Sequence, residues 1–515
     1  MGGRDDSDVV RNLADLVRRA ARRHPDRAAL LTESTRTSWA ELDAGADRAA
    51  AALTGLGLTA GDRVALQLGN TPDFPVLYFG ALRAGLVAVP ANTGYTGPEL
   101  LHLLADAGAS ALVTSSVASI ESADRLRAGA ASLRRVVVAA PSGPDGTLAL
   151  PGLLDAAVPG AVEQEAGGED LAVLMYTSGT SGRPRGAMLS HRALLANLDQ
   201  CAAISPPPVT PDDVVLLALP LFHVYGLNPG LGMIARQGAT GLLVDRFDPD
   251  ETLALMVRHG VTNVPGAPAM YVAWAERPEV AAAFGTVRLA LSGAAPLSPL
   301  TLGAFAEAGV RIFEGYGLTE TAPVLTSTLV GGESKPGSVG RPIPGVELEL
   351  RDSTGEPVED DDPGEIVVRG PNLFSGYWPD GVEGPDEDGW FRTGDVAYAD
   401  DDGDLHLVDR RRELILVSGF NVYPAEVEAV LGQHPAVAEA AAIGMPDDVT
   451  GETVRAYLVL RPGAELTTQA LLDWAAASLA RFKLPTAVEF VDELPHSATG
   501  KVSKARLREA APTPR

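Results

Sequence analysis

The residues best suited to chemistry crowd into one short stretch, YTSGTSGRPRG, from Tyr176 to Gly186. Gly179, Gly182 and Gly186 would let main-chain N–H groups close on an anion, and Thr177, Ser178, Thr180 and Ser181 can donate hydroxyl hydrogen bonds. Arg185 adds positive charge, so the composition suits a loop that wraps phosphate. It is not a Walker A loop, because no Gly-Lys-Ser/Thr follows. A surface turn before a helix capped by Ser190 would also account for it. Further groups stand in LPLFHVYGLN (His223), SGAAPLS (Ser292 to Ser298), EGYGLTE (Glu314 to Glu320), GWFRTGD (Asp395), DRRREL (Arg410) and LPHSATGKVSKARLR (Lys501). Taken singly, each has a plain reading. His223 between Phe222 and Val224 suits a satisfied core histidine, Glu320 a solvated charge, Asp395 a turn, and Lys501 a basic tail.

The elements around these groups read as α/β. VVRNLADLVRRAA places Val9, Val10, Leu13, Leu16, Val17 and Ala20 on one helical face, and Pro25 ends the run. Short apolar runs then alternate with amphipathic ones (VALQL, PVLYFGALRAG, VAVPAN, PELLHLLADAG, ALVT), which predicts a largely parallel sheet covered on both faces. The Pro/Gly-rich PSGPDG predicts a break, with a second βα lobe running from LAVLMY to about Gly315. From about Val339 to Leu407 the chain is rich in β formers and turns, and ADDDGDLHLV reads as a hairpin tip rather than a calcium loop, which would need spaced ligands closed by a later Glu. Residues 411–515 read as a small α+β module, with a helix opened by Pro424. The expected fold is thus a large layered N-terminal domain over 1–410, two βα lobes plus a strand-rich subdomain, followed by a small C-terminal domain over 411–515.

Composition narrows the partners. The formal charge of −26 repels nucleic acid and anionic membrane, and no apolar run is long enough to suggest a membrane span. The same field opposes nucleotides, so placed amides and cations must outweigh it locally. Cys201 is the one cysteine, which excludes an intrachain disulfide and a CxxC metal site. The opening MGGRDDSDVV has no apolar stretch before a cleavage site, and the expectation is a cytoplasmic monomer or homodimer.

TSGTSGRPRG resembles the signature of the adenylate-forming superfamily, which includes acyl-CoA synthetases, adenylation domains of peptide synthetases and beetle luciferase. The remaining motifs follow in that family's order over nearly the whole chain. Arg185 stands where the signature usually has Lys, exchanging a point-like ammonium for a planar fork. The resemblance implies that Thr177 to Gly182 and Arg185 serve the phosphates of ATP, and that His223 lies beside the substrate carboxylate. Gly293 and Ala294 would line the acyl group and one face of adenine, and Glu314, Gly315 and Tyr316 would flank the adenine. Thr319 would contact phosphate, and Glu320 would help to hold Mg²⁺, a hard cation that favours carboxylate oxygen. Asp395 would accept hydrogen bonds from both ribose hydroxyls with help from Arg410. Arg412, where Asp or Lys is common, would be the hinge of a mobile small domain. Gly419 would border the pantetheine arm of coenzyme A, and Lys501 would reach the carboxylate and the α-phosphate.

What the resemblance implies is an AMP-forming acyl-CoA ligase using ATP, Mg²⁺ and coenzyme A. Relatives that use acetate close the pocket with Trp two positions before Thr-Glu, where this chain has Gly317. With Gly226, Gly266, Ala294 and Ala295 in the expected lining, the expectation is a medium- or long-chain fatty acid, or an aromatic acid, rather than acetate. Met270 and Tyr271 are followed by Val272, Ala273 and Trp274, with no cation for a second carboxylate. A ligase that loads an acyl carrier protein would share every nucleotide motif.

Overall fold

The computed structural model describes residues 10–158, 160, 166–177, 184–295, 297–352, 354–358, 362–410, 415–417, 420–422, 424–447, 451–479, 481–496 and 502–510. The chain divides into two compact units, one of Met1–Pro336, Gly340–Glu347 and Arg369–Phe391, the other of Gly337–Val339, Leu348–Val368 and Arg392–Arg515.

In the first unit, parallel pairing explains the apolar runs. Val87–Pro90 and Ala111–Thr114 are buried at every position, as strands covered by helices on both faces must be. They belong to a sheet of seven strands among the described residues, in the order Leu148–Ala149, Arg135–Val138, Ala111–Thr114, Arg63–Gln67, Val87–Pro90, Leu171–Thr177 and Arg185–Ser190. Only the last pair is antiparallel. The second sheet of this unit runs Arg341–Pro342, Val324–Ser327, Ile312–Gly317, Leu289–Ser292, Asn263–Gly266, Val214–Leu217, Thr240–Leu243, Ala28–Leu31 and Arg36–Ser38.

Two lobes are therefore present, but their boundary is not at PSGPDG. LAVLMY is a strand of the first sheet, paired with Val87–Pro90, while Ala28–Leu31 from near the start joins the second sheet beside Thr240–Leu243. The Pro/Gly segment is only the connection between two neighbouring strands of one sheet, Arg135–Val138 and Leu148–Ala149.

The N-terminal helix, Asp15–Arg23, buries Leu16, Val17 and Ala20 as the spacing predicts, and Ala21 besides; it begins after Val10 and the buried Leu13 and ends at His24 before Pro25, and Val9 lies outside the described residues. Beside the second sheet, Tyr271, Trp274, Phe284 and Phe305 pack edge to face at 5.2–5.7 Å between ring centroids. The Tyr271 hydroxyl reaches the carbonyl oxygens of Val264 at 3.0 Å and Leu291 at 2.9 Å, tying two strand ends that matter for the site.

The second unit holds most of a four-stranded sheet, Glu347–Arg351, Gly364–Arg369, Trp390–Ala399 and Leu405–Arg410. The acidic run is its hairpin tip. Asp400 Oδ1 accepts from the amides of Asp402 (3.1 Å) and Asp404 (3.0 Å), and Gly403 supplies the positive φ of 81° that the turn requires. Beyond it, Pro424–Gly432 forms the expected helix, packed with Thr468–Ala476 against the long antiparallel pair Val437–Asp447 and Gly451–Leu460. The parallel strand Ala487–Phe490 and the helix Lys504–Ala510 complete the module. Among the described residues no helix is long and apolar enough to cross a membrane.

Candidate active site

The glycine-rich stretch starts on one strand and ends on its antiparallel neighbour: Thr177 and Arg185 are register partners on Leu171–Thr177 and Arg185–Ser190. Ser178, Gly179, Thr180, Ser181 and Gly182 lie outside the described residues. Ser190 ends the second strand and caps the helix His191–Ala202, accepting from the Ala193 amide at 3.2 Å. The two strands are fastened on both sides. The Tyr176 hydroxyl donates to Asp106 at 2.5 Å, and the Gly186 carbonyl accepts from the Trp378 amide at 2.8 Å. Arg185 pairs with Glu383 at 2.8 Å, its guanidinium carbon 3.9 Å from the centroid of the Tyr377 ring.

At the carboxyl ends of the second sheet, where open α/β sheets bind ligands, two predicted segments are brought side by side. Gly266, Ser292 and Glu314 stand in register on adjacent parallel strands, and the Gly293 amide donates to Gly266 O at 3.2 Å. Ala294 follows with φ of 75°. Glu314 is buried, and its Oε1 accepts from the Leu297 amide at 3.0 Å. Its Oε2 and the neighbouring Ser292 Oγ are buried with no partner among the described residues. Burial pushes the Glu314 carboxyl up to about 7, only partly offset by the Leu297 amide. An amino group such as that of adenine has the donor chemistry these acceptors lack.

That shift has a thermodynamic consequence. Between an unfolded value near 4.5 and the folded value of about 7, the folded chain holds the extra proton. Stability from this group is therefore present at low pH, is lost as pH rises through that window, and is flat above it. Glu314→Gln, neutral throughout, is expected to match the native protein near pH 4.5 and to exceed it above pH 7 by at most about 3 kcal/mol. Thermal unfolding of both proteins across pH 4.5–8.5 checks this; parallel curves would refute it.

Gly315 and Tyr316 continue the strand, opposite Ser327 and Thr326. A Cβ on Gly317 would lie 1.9 Å from the Pro323 carbonyl oxygen. The residue is glycine because the return strand passes there, and an open acyl pocket is not needed to explain it. Gly317→Ala is expected to displace the turn that carries Thr319 and Glu320, lowering stability by about 1–3 kcal/mol and pyrophosphate release at least ~10-fold. A variant unchanged in both assays would show that the turn yields freely.

Thr319–Thr321 is a 3₁₀ turn held by buried asparagines. Asn372 Nδ2 donates to Thr321 O, Asn228 Nδ2 to Ala322 O and Asn197 Nδ2 to Val324 O, each at 2.8 Å. The Phe374 amide donates to Glu320 O at 2.9 Å. The Glu320 side chain is buried, and its Oε1 accepts from the Tyr377 hydroxyl at 2.5 Å. Among the described residues Oε2 has no partner, so a carboxylate with one oxygen held by a neutral donor is available to a hard cation, and Mg²⁺ fits.

His223 is half-buried. Its Nδ1 accepts from the Tyr225 amide at 3.3 Å. The preceding turn is held by Asn70 from the other lobe, which donates to Leu217 O and Leu219 O and accepts from the Leu221 amide, all at 2.9 Å. Gly226 opens the π-helix Gly226–Gly232; a Cβ there would lie 2.4 Å from Pro220 O. A Cβ on Gly293 would lie 3.0 Å from the Tyr225 ring, and one on Gly266 2.8 Å from the Tyr271 ring.

In the second unit, Asp395 and Arg410 stand directly opposite one another on Trp390–Ala399 and Leu405–Arg410. The Asp395 amide donates to Thr393 Oγ1 at 3.1 Å, and that hydroxyl donates to Ile366 O at 2.9 Å. The Arg410 side chain, Arg412, Gly419 and Lys501 lie outside the described residues. Sequence reasoning did not find Asn70, Asn197, Asn228, Asn372 or Tyr377. A single Asn or Tyr carries no local pattern, and only FSGYWPD marks Tyr377 as part of a turn.

Two acceptors at adjacent strand ends, Ser292 Oγ and Glu314 Oε2, buried and unpartnered among the described residues, stand in the same unit as the buried carboxylate turn of Glu320, a set of oxygens suited to a nucleotide and its cation. Residues 17–378 match the AMP-binding enzyme family and residues 426–501 its C-terminal domain. A long-chain-fatty-acid–CoA ligase of Yersinia pestis is 36% identical, covering 98% of this chain and 95% of that protein. A feruloyl-CoA synthase of Amycolatopsis is 37% identical over 95% and 97%. The ATP-bound crystal structure of MatB from Rhodopseudomonas palustris superposes with a TM-score of 0.89 at 36% identity, covering 97% of this chain and 98% of that one. The chain belongs to the AMP-binding enzyme family, among its AMP-forming acid–CoA ligases.

Proposed function

We propose that this protein activates a medium- or long-chain fatty acid as acyl-AMP and transfers the acyl group to coenzyme A. In the first step a carboxylate oxygen attacks the α-phosphorus of ATP, and the bond to the pyrophosphate oxygen breaks. In the second the coenzyme A thiolate attacks the acyl carbonyl, and AMP leaves. Neither step needs a side-chain nucleophile; positioning and charge compensation carry the chemistry.

The observation that carries this reading is the register of Ser292 with Glu314, continuous with the held turn of Glu320. In this reading it would bring groups suited to a nucleobase edge and to a cation to one sheet end. Bound Mg²⁺ would supply charge neutralisation on the phosphates, with Glu320 as its protein ligand. Glu314, Gly315 and Tyr316 flank the adenine in this reading, Thr177 to Gly182, Arg185 and Thr319 serve the phosphates, and His223, Gly293 and Ala294 border the acid. Asp395 with Arg410 holds the ribose. A mobile domain over 411–515 hinges at Arg412, brings Lys501 to the first step and Gly419 to the second. A cytoplasmic location as monomer or homodimer suits a chain whose one cysteine, Cys201, is buried and unpaired.

The fatty-acid relatives near 35% identity favour an aliphatic acid. An aryl acid is the second reading, favoured by the feruloyl-CoA synthase relative at 37% identity. AMP and pyrophosphate release across acids from acetate to palmitate, with benzoate and malonate, decides between them. Turnover that requires coenzyme A and peaks at a medium or long chain supports the proposal. A benzoate optimum selects the aryl reading. Pyrophosphate release indifferent to coenzyme A would replace it with a ligase that loads another acceptor, such as a carrier protein.

A further inference from the structure

We propose that Tyr377 is a positioning residue for the cation-binding carboxylate, and that Arg185 and Glu383 set the ring that does it. The inference rests on the reading of Glu320 as the Mg²⁺ ligand. A glutamate side chain turns about three bonds, and a backbone turn alone does not orient its oxygens. Here the Tyr377 hydroxyl donates to Oε1 at 2.5 Å, which restrains the carboxylate at one oxygen and leaves the other for a cation.

The phenol is itself held on several sides. Its backbone exchanges hydrogen bonds with Val382 (3.0 Å) and Gly381 (2.8 Å) and bridges to Ala187 on the strand that follows the glycine-rich stretch. The Phe374 ring packs edge-on, with centroids 5.1 Å apart. The Arg185 guanidinium lies over the ring at 3.9 Å while pairing with Glu383 at 2.8 Å. Glu383 adopts φ of 55°, a conformation unfavourable for a residue with a side chain, at the point where its carboxylate meets Arg185.

This arrangement gives the arginine at position 185 a physical reason. A planar guanidinium can stack on a ring and pair with a carboxylate at once, whereas an ammonium can pair but does not stack as a plane. Arg185, the first residue of the strand that follows the glycine-rich stretch, is thereby joined through one ring to the carboxylate that would take the cation. The proposed consequence is a coupling between Arg185 and the metal ligand that a lysine would weaken.

The test is equilibrium binding of ATP to the full-length protein, without acid or coenzyme A, in Mg²⁺ and in EDTA; the ratio of the two Kd values is the metal-dependent gain. Glu320→Gln should collapse the gain. Tyr377→Phe, which keeps the ring and its stack, should cut the gain about 10-fold with the EDTA Kd unchanged. Arg185→Lys should cut it in the same direction by a smaller factor, about 3-fold. If Glu320→Gln retains the native gain, the Glu320 reading fails and this inference with it. If Glu320→Gln collapses the gain but Tyr377→Phe keeps it, or weakens both Kd values equally, the positioning role alone is overturned.

Discussion

Glu320→Gln is expected to lower acid-dependent pyrophosphate release by about 10²–10³-fold, with little change in the thermal unfolding midpoint. The substitution is isosteric, and the Gln carbonyl can still accept from the Tyr377 hydroxyl that now meets Oε1 at 2.5 Å. The main-chain bond from the Phe374 amide to Glu320 O is unaffected, as are the asparagine contacts to Thr321, Ala322 and Val324. What disappears is the negative charge at a buried position, which in the proposed function draws a hard cation to the phosphates. Folding and chemistry should therefore separate. Steady-state pyrophosphate assays over a range of Mg²⁺ concentrations, beside a thermal melt, measure both. Equal loss of stability and activity would assign Glu320 a structural role instead.

Lys501→Ala is expected to remove acyl-adenylate formation by about 10³-fold while leaving thioester formation from supplied acyl-AMP within a few-fold of the native rate. The reasoning is electrostatic. Two anions, the acid and the α-phosphate, must meet in line, and the chain's formal charge of −26 adds to their repulsion. A cation at the meeting point offsets that repulsion in the first step; in the second the acid has already lost its own charge, and the one negative charge of the mixed anhydride sits on the phosphate that leaves with AMP. Rapid-quench assays of each half-reaction separate the two steps. Loss of both would mean that Lys501 acts on binding common to them, and an unchanged first step would leave LPHSATGKVSKARLR as a basic tail.

Much of this molecule was legible in local pattern. The spacing of Leu16, Val17 and Ala20 predicted a helix because a 3.6-residue period places those side chains on one face, and they are buried. The fully apolar runs at Val87–Pro90 and Ala111–Thr114 predicted covered parallel strands for the same kind of reason. The hairpin tip at Asp400–Asp404 was recognisable from its turn residues.

The rest depended on pairs far apart in the chain. Whether LAVLMY joined the first lobe or the second was decided by its pairing beside Val87–Pro90, and Arg185–Ser190 became a strand because Tyr176 and Gly186, and their neighbours, could pair. At Gly317 the sequence suggests an open pocket, and only the fold adds that the Pro323 carbonyl lies where a side chain would begin. Asn70, Asn197, Asn228 and Asn372 hold segments 51 to 151 residues distant, so nothing in their own surroundings along the chain distinguishes them. The sequence by itself determined the order of motifs that marks the family, because residue type and spacing along the chain are local properties. Which way the side chains of those motifs face, and what holds Glu320 and Arg185 where they are, was decided by tertiary packing, because a buried hydrogen bond or a ring stack exists only once both partners have been brought together.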